Sequence, residues 1–522
     1  MAETKREIER KYEATGETPL PDLTRVPGVS ETVDRGVMEL DAVYYDTPDL
    51  RLAADALTLR RRTGGGDAGW HVKFPVAAGV RDEIRAPLSD TLPGELAGLL
   101  RSRVRGGTVV PVVRLRSARD VRHLLAADGT LLAELSVDTV HAERLPGGPT
   151  ATWTEIEVEL ADDIDPALLD AVGKRLRKAG IHPSDSPSKL ARALAETSPE
   201  PAAAAVTGPA AAPETDPTAG EPGTPAKPGT AGAAVLAYVR EQAAAIVALD
   251  PAVRRDLPDA LHQLRVACRR LRSAFKTYRR VLDRDVTDPV GDELKWLAGE
   301  LGVARDQEVL DARLRARVAD LPRDLTLGPV NTRLRRRNAA LGRSARRRAL
   351  AALDSARHLA LLDTLDALLA APPLRKAARR DARTVLAHAV RKDHARLGGR
   401  IEHALSLAPG HERDLALHDA RKAAKRARYA TEAARPTLGK PAKRLAKRVK
   451  AVQSLLGEHQ DAVVARAALR EFAITAHGVG EPAFTWGLLY GREEAAAAAA
   501  QRKLPRVWAR ASAPELRAAL TR

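Results

Sequence analysis

The chain of 522 residues is 44% hydrophobic and 29% charged, so it can bury several cores, but only 3% is aromatic, so those cores are aliphatic and suit packed helices. A net charge of +17 points to a polyanionic partner, and a single cysteine, Cys268, excludes a disulfide scaffold, a Cys-rich zinc site and a CxxC redox centre. The charged N-terminus MAETKREIERK lacks the apolar core of a signal peptide and no stretch of eighteen apolar residues occurs, so no membrane span and a cytoplasmic location are expected.

The first elements alternate with the period of β-strands, whose side chains at i and i+2 share a face. Glu7, Glu9 and Lys11 share one face of the first strand. Arg60 and Arg62 lie opposite Leu57 and Leu59, and His71 and Lys73 lie opposite Trp70, Val72 and Phe74. Arg81, Glu83 and Arg85 align, Arg114 and Arg116 oppose Val113 and Leu115, and Glu155, Glu157 and Glu159 oppose Ile156, Val158 and Leu160. Any one such strand is ordinarily half-exposed with its polar side in water. Here the charged faces carry acids on the outer strands and mostly Arg and Lys on the middle ones. A closed antiparallel barrel explains this, with a charged interior and an apolar exterior under helices predicted at 93–103 and 166–178. Clustered carboxylates are hard ligands for Mg²⁺ or Mn²⁺, and a ring of Arg and Lys binds phosphate oxygens. Together they equip a lumen for phosphoryl transfer.

Glu7-x-Glu9-x-Lys11 resembles the ExExK signature of the CYTH superfamily, the triphosphate tunnel metalloenzymes. The resemblance continues in order through Tyr45-Asp46-Thr47, Leu59-Arg60-Arg61-Arg62, Trp70-His71-Val72-Lys73, Asp138 in SVDTV, Trp153 to Leu160, and Ser188-Lys189-Leu190. It implies Glu7, Glu9, Glu157 and Glu159 as ligands of Mg²⁺ (or Mn²⁺) or orienters of water, with Glu155 on the same face. It implies Lys11, Glu9 and Glu159 at the reacting end, and Arg60, Arg62, Lys73, Arg85, Arg114, Arg116 and Lys189 as the triphosphate grip. Arg114 and Arg116 are both expected to face inward, and Arg81 competes with Arg85. The implied reaction is hydrolysis of inorganic triphosphate, with thiamine triphosphate hydrolysis or ATP cyclisation as alternatives. A barrel that only binds would make the chain a non-catalytic polyphosphate or granule protein.

Residues 198–231 hold eight Pro and ten Ala without Leu, Ile or an aromatic, and read as a disordered linker. Charge divides across it: residues 1–197 carry −5, the linker −3 and residues 232–522 +25.

From 232 onward apolar residues recur at helical spacing. On 261–282, Leu264, Cys268, Leu271, Phe275, Tyr278 and Leu282 form one stripe, which reads Cys268 as packing. His262, Arg265, Arg269, Arg272, Lys276 and Arg279 form a second. Residues 417–430 repeat 261–274 at an offset of 156, so His418, Arg421, Lys425 and Arg428 match His262, Arg265, Arg269 and Arg272. Leu301-Gly302…Arg305-Asp306 recurs as Leu456-Gly457…Gln460-Asp461 at 155. Two echoes in one order indicate an internal duplication and two similar helical bundles. A lone His or a basic helix face is ordinarily solvated surface. Matched basic stripes repel themselves, and an anion relieves that repulsion.

This half resembles the CHAD domain, the conserved-histidine α-helical domain, through Leu261-His262-x-x-Arg265-Val266-x-x-Arg269-Arg270-Leu271-Arg272, the Leu301-Gly302 segment and their copies. The resemblance implies binding of inorganic polyphosphate by His262, Arg265, Arg269, Arg272, His418, Arg421, Lys425 and Arg428. Sparse aromatics make nucleic acid a poor partner. The whole chain is expected to be multidomain α+β: a barrel domain at 1–197, the linker, and an all-α domain at 232–522.

Overall fold

In the computed structural model the described residues are 3–15, 17–198 and 227–521. The chain divides into two compact units, Met1–Glu214 and Thr215–Arg522. Almost all of the predicted linker lies outside the described residues; its last residue, Ala231, already begins a helix capped by the Thr230 hydroxyl.

The first unit contains eight strands: β1 Glu3–Ala14, β2 Glu31–Asp46, β3 Thr58–Thr63, β4 Gly69–Ala77, β5 Val80–Pro87, β6 Val110–Leu125, β7 Leu131–Arg144 and β8 Thr150–Leu160. They close into an antiparallel ring in the order β1-β5-β4-β3-β2-β6-β7-β8. β1 closes it by changing partner. Its residues Glu3–Ile8 pair with β5, and its residues Glu9–Ala14 pair with β8. The unit's helices are α1 Arg51–Ala54, α2 Gly94–Val104, α3 Ala167–Lys178 and α4 Lys189–Glu196.

The strand faces sort as burial requires. Outside the ring, Leu57, Leu59, Trp70, Val72 and Ile84 pack under Leu96, Leu99 and Leu100 of α2. Tyr12, Leu135, Ile156 and Val158 pack under Leu169, Val172 and Leu176 of α3. Ala42, Tyr44, Val113, Leu115, Val140 and Trp153 pack against Leu190 and Ala193 of α4. This last cluster has the strand parity of the interior, so apolar side chains fill part of the barrel. The Tyr45-Asp46-Thr47 motif is structural: the buried Asp46 carboxylate accepts from the backbone amides of Thr47, Leu52 and Ala53 and fixes α1.

The second unit is helical: α5 Ala231–Arg254, α6 Ala260–Thr277, α7 Arg284–Glu300, α8 Gly302–Ala319, α9 Val330–Asp354, α10 Ala356–Ala370, α11 Ala382–Ser406, α12 His411–Ala433, α13 Arg435–Gly478, α14 Phe484–Ala511 and α15 Pro514–Ala518. α6 and α12 carry the duplicated stripe and contact each other. Leu264, Cys268, Leu271 and Phe275 share one core with Leu417, Ala420, Ala424 and Ala427. Cys268 is fully buried, which pushes its thiol up to about 12, in keeping with packing. Among the described residues α5 is long and apolar enough to cross a membrane by length and composition, a test that a buried core helix also passes. Its Val235, Val239 and Ile246 are buried in the helical core, which accounts for that composition.

Candidate functional site

The barrel encloses a cavity of about 310 Å³ lined from every strand and from α4. The partner change of β1 sets its layout. Glu7 stands opposite Arg81 of β5, whereas Glu9 and Lys11 stand opposite Glu159 and Glu157 of β8. The β4–β5 turn helps hold that switch. Gly79 adopts φ +69°, and its carbonyl accepts from the Glu9 amide at 2.9 Å. A Cβ there would meet the Glu9 carbonyl at 2.7 Å.

The carboxylates are neutralised by lysines. Lys73 lies 2.6 Å from Glu7, and Lys5 lies 2.5 Å from Glu159. Lys11 pairs with Glu157 and lies 3.4 Å from Glu9. Lys189, delivered by the first turn of α4, lies 2.8, 2.7 and 2.6 Å from Asp138, Glu155 and Glu157. Burial alone would push Glu9 up, but the ammoniums of Lys11, Lys73 and Lys189 outweigh it and bring Glu9 down to about 2. Burial brings Lys11 down to about 8. It pushes Glu7 up, aided by Glu83 and Glu159.

The cations form the other wall. Glu83 is fully buried; it accepts from Arg85 Nε at 2.5 Å, Arg60 Nη2 at 3.2 Å and contacts His71 Nδ1 at 2.9 Å. Burial, then the nearby Arg60, outweighs the Glu83 hydrogen bond and brings His71 down to about 4, a neutral imidazole. Arg62 pairs with Asp67; burial and the charges of Arg60 and Arg119 bring it down to about 9. Arg81 and Arg85 both line the cavity.

Two expected residues are misplaced. Arg114 pairs with Asp41 outside the cavity, and Arg116 is exposed. The inward face of β6 is instead Val113, Leu115, Ser117 and Arg119, opposite Tyr44, Ala42, Leu40 and Met38 of β2. The apolar face turns inward where the barrel is filled, so Arg114 and Arg116 turn outward. Arg119 takes the inner place, donating to both Asp138 oxygens at 2.7 Å and to Glu157 at 2.8 Å. Arg119 lies beyond the Val113–Arg116 stretch whose alternation was read in the sequence, while β6 runs on to Leu125. Asp138 and Glu83 were visible as motif or face residues without an assigned role; Tyr44, which also lines the cavity, was not singled out.

In the helical unit the two echoes pack on each other. Arg265 Nη1 lies 3.0 Å from Asp306 Oδ1, and Arg421 Nη2 lies 3.9 Å from Asp461 Oδ1. Gly302 admits the Arg265 guanidinium, which would lie 3.0 Å from an added Cβ. His418 Nδ1 contacts Gln460 Oε1 at 2.6 Å; the matched His262 is lowered by burial and by Arg305, the counterpart of Gln460. Arg265, Arg269, Arg421 and Lys425 gather between α6 and α12. Burial first, then Arg421, Arg269 and Arg265, brings Lys425 down to about 7. The Nε groups of Arg265 and Arg421 are buried without a hydrogen-bond partner. Two expected members stand apart. Arg428 pairs with Glu432 at 3.3 Å and sits over the Tyr429 ring, while Arg272 lines a different pocket.

The CYTH domain family matches residues 5–194, and the CHAD domain family matches 237–470. The uncharacterised protein Rv2226 of Mycobacterium tuberculosis H37Rv is 37% identical over 507 residues, covering 93% of this chain and 92% of its own length. The chain belongs to the CYTH–CHAD family. Similar solved structures include PptA from Streptomyces chartreusis, 25% identical over 53% of this chain and 99% of its own, with TM-score 0.45. The CHAD domain of Ricinus communis is 26% identical over 57% and 97%, with TM-score 0.43. A Hippeastrum protein described as an adenylyl cyclase with a dominant triphosphatase activity is 18% identical over 38% and 98%, with TM-score 0.21.

CYTH domains are metal-dependent tunnel enzymes with triphosphate-related chemistry. This CYTH–CHAD chain offers a fitting donor set. Among the described residues, Asp138, Glu155 and Glu157 bring ligand oxygens within 4.8 Å of one another, all buried. The Lys189 ammonium lies within ion-pair distance of all three yet its Nζ lacks hydrogen-bond geometry, as does Glu155 Oε1. A tethered cation thus occupies a place where hard oxygens suit a divalent ion.

Proposed function

We propose that the CYTH unit hydrolyses inorganic triphosphate with Mg²⁺ or Mn²⁺ and that the CHAD unit binds inorganic polyphosphate. The observation that carries this reading is the enclosure of Glu7, Glu9, Glu157 and Glu159 with Arg60, Arg62, Lys73, Arg85, Arg119 and Lys189 in one cavity of about 310 Å³.

In this reading, a bound metal would neutralise phosphate charge and acidify water; Glu7, Glu9, Glu157 and Glu159, which line the cavity, would hold it, with Glu157 shared with the Asp138–Glu155 cluster. A phosphate chain would compete with Glu7, Glu157 and Glu159 for the ammoniums of Lys73, Lys11, Lys189 and Lys5, which pair with them in the free protein. Arg60, Arg62, Lys73, Arg85, Arg119 and Lys189 grip the phosphate oxygens and fix the chain in line. Glu9 or Glu159 takes the proton of the attacking water. The water oxygen bonds to the terminal phosphorus, the bridging P–O bond breaks, and orthophosphate and pyrophosphate leave. Lys11 stabilises charge at the reacting end. In the CHAD unit, Arg265, Arg269, Arg421 and Lys425 provide a cation cluster without aromatic stacking surfaces, which suits a phosphate chain without bases.

The test is phosphate release by the full-length protein with Mg²⁺ from inorganic triphosphate, thiamine triphosphate, ATP and long polyphosphate. Fastest release from inorganic triphosphate is expected. Faster turnover of thiamine triphosphate, or cyclic AMP from ATP, reassigns the substrate; no turnover of any of them overturns catalysis.

A further inference from the structure

The duplicated basic stripes diverge beyond the central cluster. Arg272 and Lys276 on α6, with Arg279 in the turn just after it, continue the stripe into a pocket of about 300 Å³ completed by Arg284, Arg396 and Arg426. The pocket also contains two carboxylates. Asp288 lies 2.5 Å from Arg284, and Asp292 shares the lining. Arg426 is held by Asp393 at 2.9 Å. Among the described residues, Arg272, Lys276, Arg279 and Arg396 form no ion pair. Four cations without an ion-pair partner therefore face one concavity, with Asp292 beside them.

The second copy has a carboxylate at the matched point. At the offset of 156, Arg272 corresponds to Arg428 and Lys276 to Glu432. Glu432 lies 3.3 Å from Arg428 and 3.3 Å from Arg270, so it neutralises the arginine through which the stripe would continue. The α13 positions matching Asp288 and Asp292 at the offset of 155 are Lys443 and Lys447, both exposed. The second copy keeps positive charge at its rim but interrupts the stripe itself.

We propose that a phosphate chain seated on the central cluster continues along α6 into the Lys276 pocket and is turned away at Glu432, so that the duplicated domain holds its polyanion on one side only. The inference rests on the polyphosphate reading of the CHAD unit and adds two residues to it. Lys276 extends the bound stretch. Glu432 sets its end by presenting a carboxylate to phosphate oxygens, a like-charge contact that is unfavourable.

The test is the binding of long-chain inorganic polyphosphate to the full-length protein across a salt series, comparing parent, Lys276→Glu and Glu432→Lys. Lys276→Glu is expected to bind about five- to tenfold more weakly, and the slope of log affinity against log salt to become shallower by about one to two counterions. Glu432→Lys is expected to bind more tightly with a steeper slope, a gain that misfolding does not produce. Lys276 is exposed, so its replacement leaves the core intact. If the parent binds and both variants match it in affinity and slope, the one-sided path is overturned while the polyphosphate reading stands. If the parent does not bind, both fall.

Discussion

The Lys189 ammonium on α4 lies 2.8 Å from the Asp138 carboxylate on β7. It thereby ties α4 to carboxylates inside the barrel, and it also meets Glu155 and Glu157. Lys189→Met would leave buried carboxylates short of a cation, a defect of about 3–5 kcal/mol. Thermal unfolding should show a loss of stability that Mg²⁺ partly restores. An unfolding temperature that matches the parent and ignores Mg²⁺ contradicts this role.

Arg119 and Arg114 separate the inner from the outer face of β6. Arg119→Ala should lower triphosphate turnover by about two orders of magnitude, because a half-buried arginine bridging Asp138 and Glu157 is lost from the grip. Arg114→Ala should change it less than about twofold, as expected for a partly exposed pair with Asp41. Steady-state phosphate release measures both, and the reverse ranking would restore the alternate parity.

The sequence made the barrel legible because charged and apolar residues alternate along most strands, and Glu7, Glu9, Lys73 and Glu157 all fall on the face the alternation indicates. It misled at β6 because one end of the barrel is filled by Val113, Leu115 and Trp153, where the apolar face points inward. Periodicity gives two faces but not which one is inside. The duplication was legible from matched spacing, yet the fate of Arg428 was not. It depends on Glu432, one turn further along α12, and on the Tyr429 ring. The hub role of Glu83 was hidden likewise, since its partners Arg60, His71 and Arg85 converge only when β3, β4 and β5 pair.

Lys425 makes anion binding depend on pH. Its ordinary value of 10.5 falls to about 7 in the folded protein, first through burial and then through Arg421, Arg269 and Arg265. An anion favours the protonated form. Polyphosphate affinity should therefore weaken as pH rises through 7, by at most about tenfold per pH unit for one linked proton. Between 7 and 10.5 the unfolded chain holds the proton that the folded one has lost, so this group's contribution to stability grows with pH over that range. Calorimetry in buffers of different ionisation enthalpy should show proton uptake on binding near neutral pH, and Lys425→Arg should remove it. Equal uptake by the variant would assign the linkage elsewhere.

The central claim is that carboxylates enclosed with a basic wall perform metal-assisted phosphoryl chemistry. Its most direct test is phosphate release from inorganic triphosphate with Mg²⁺, comparing the parent with Glu9→Ala. Glu9 is buried and held ionised, so its loss should lower the rate at least about a hundredfold while the protein stays folded. Equal rates in the two proteins would contradict the account.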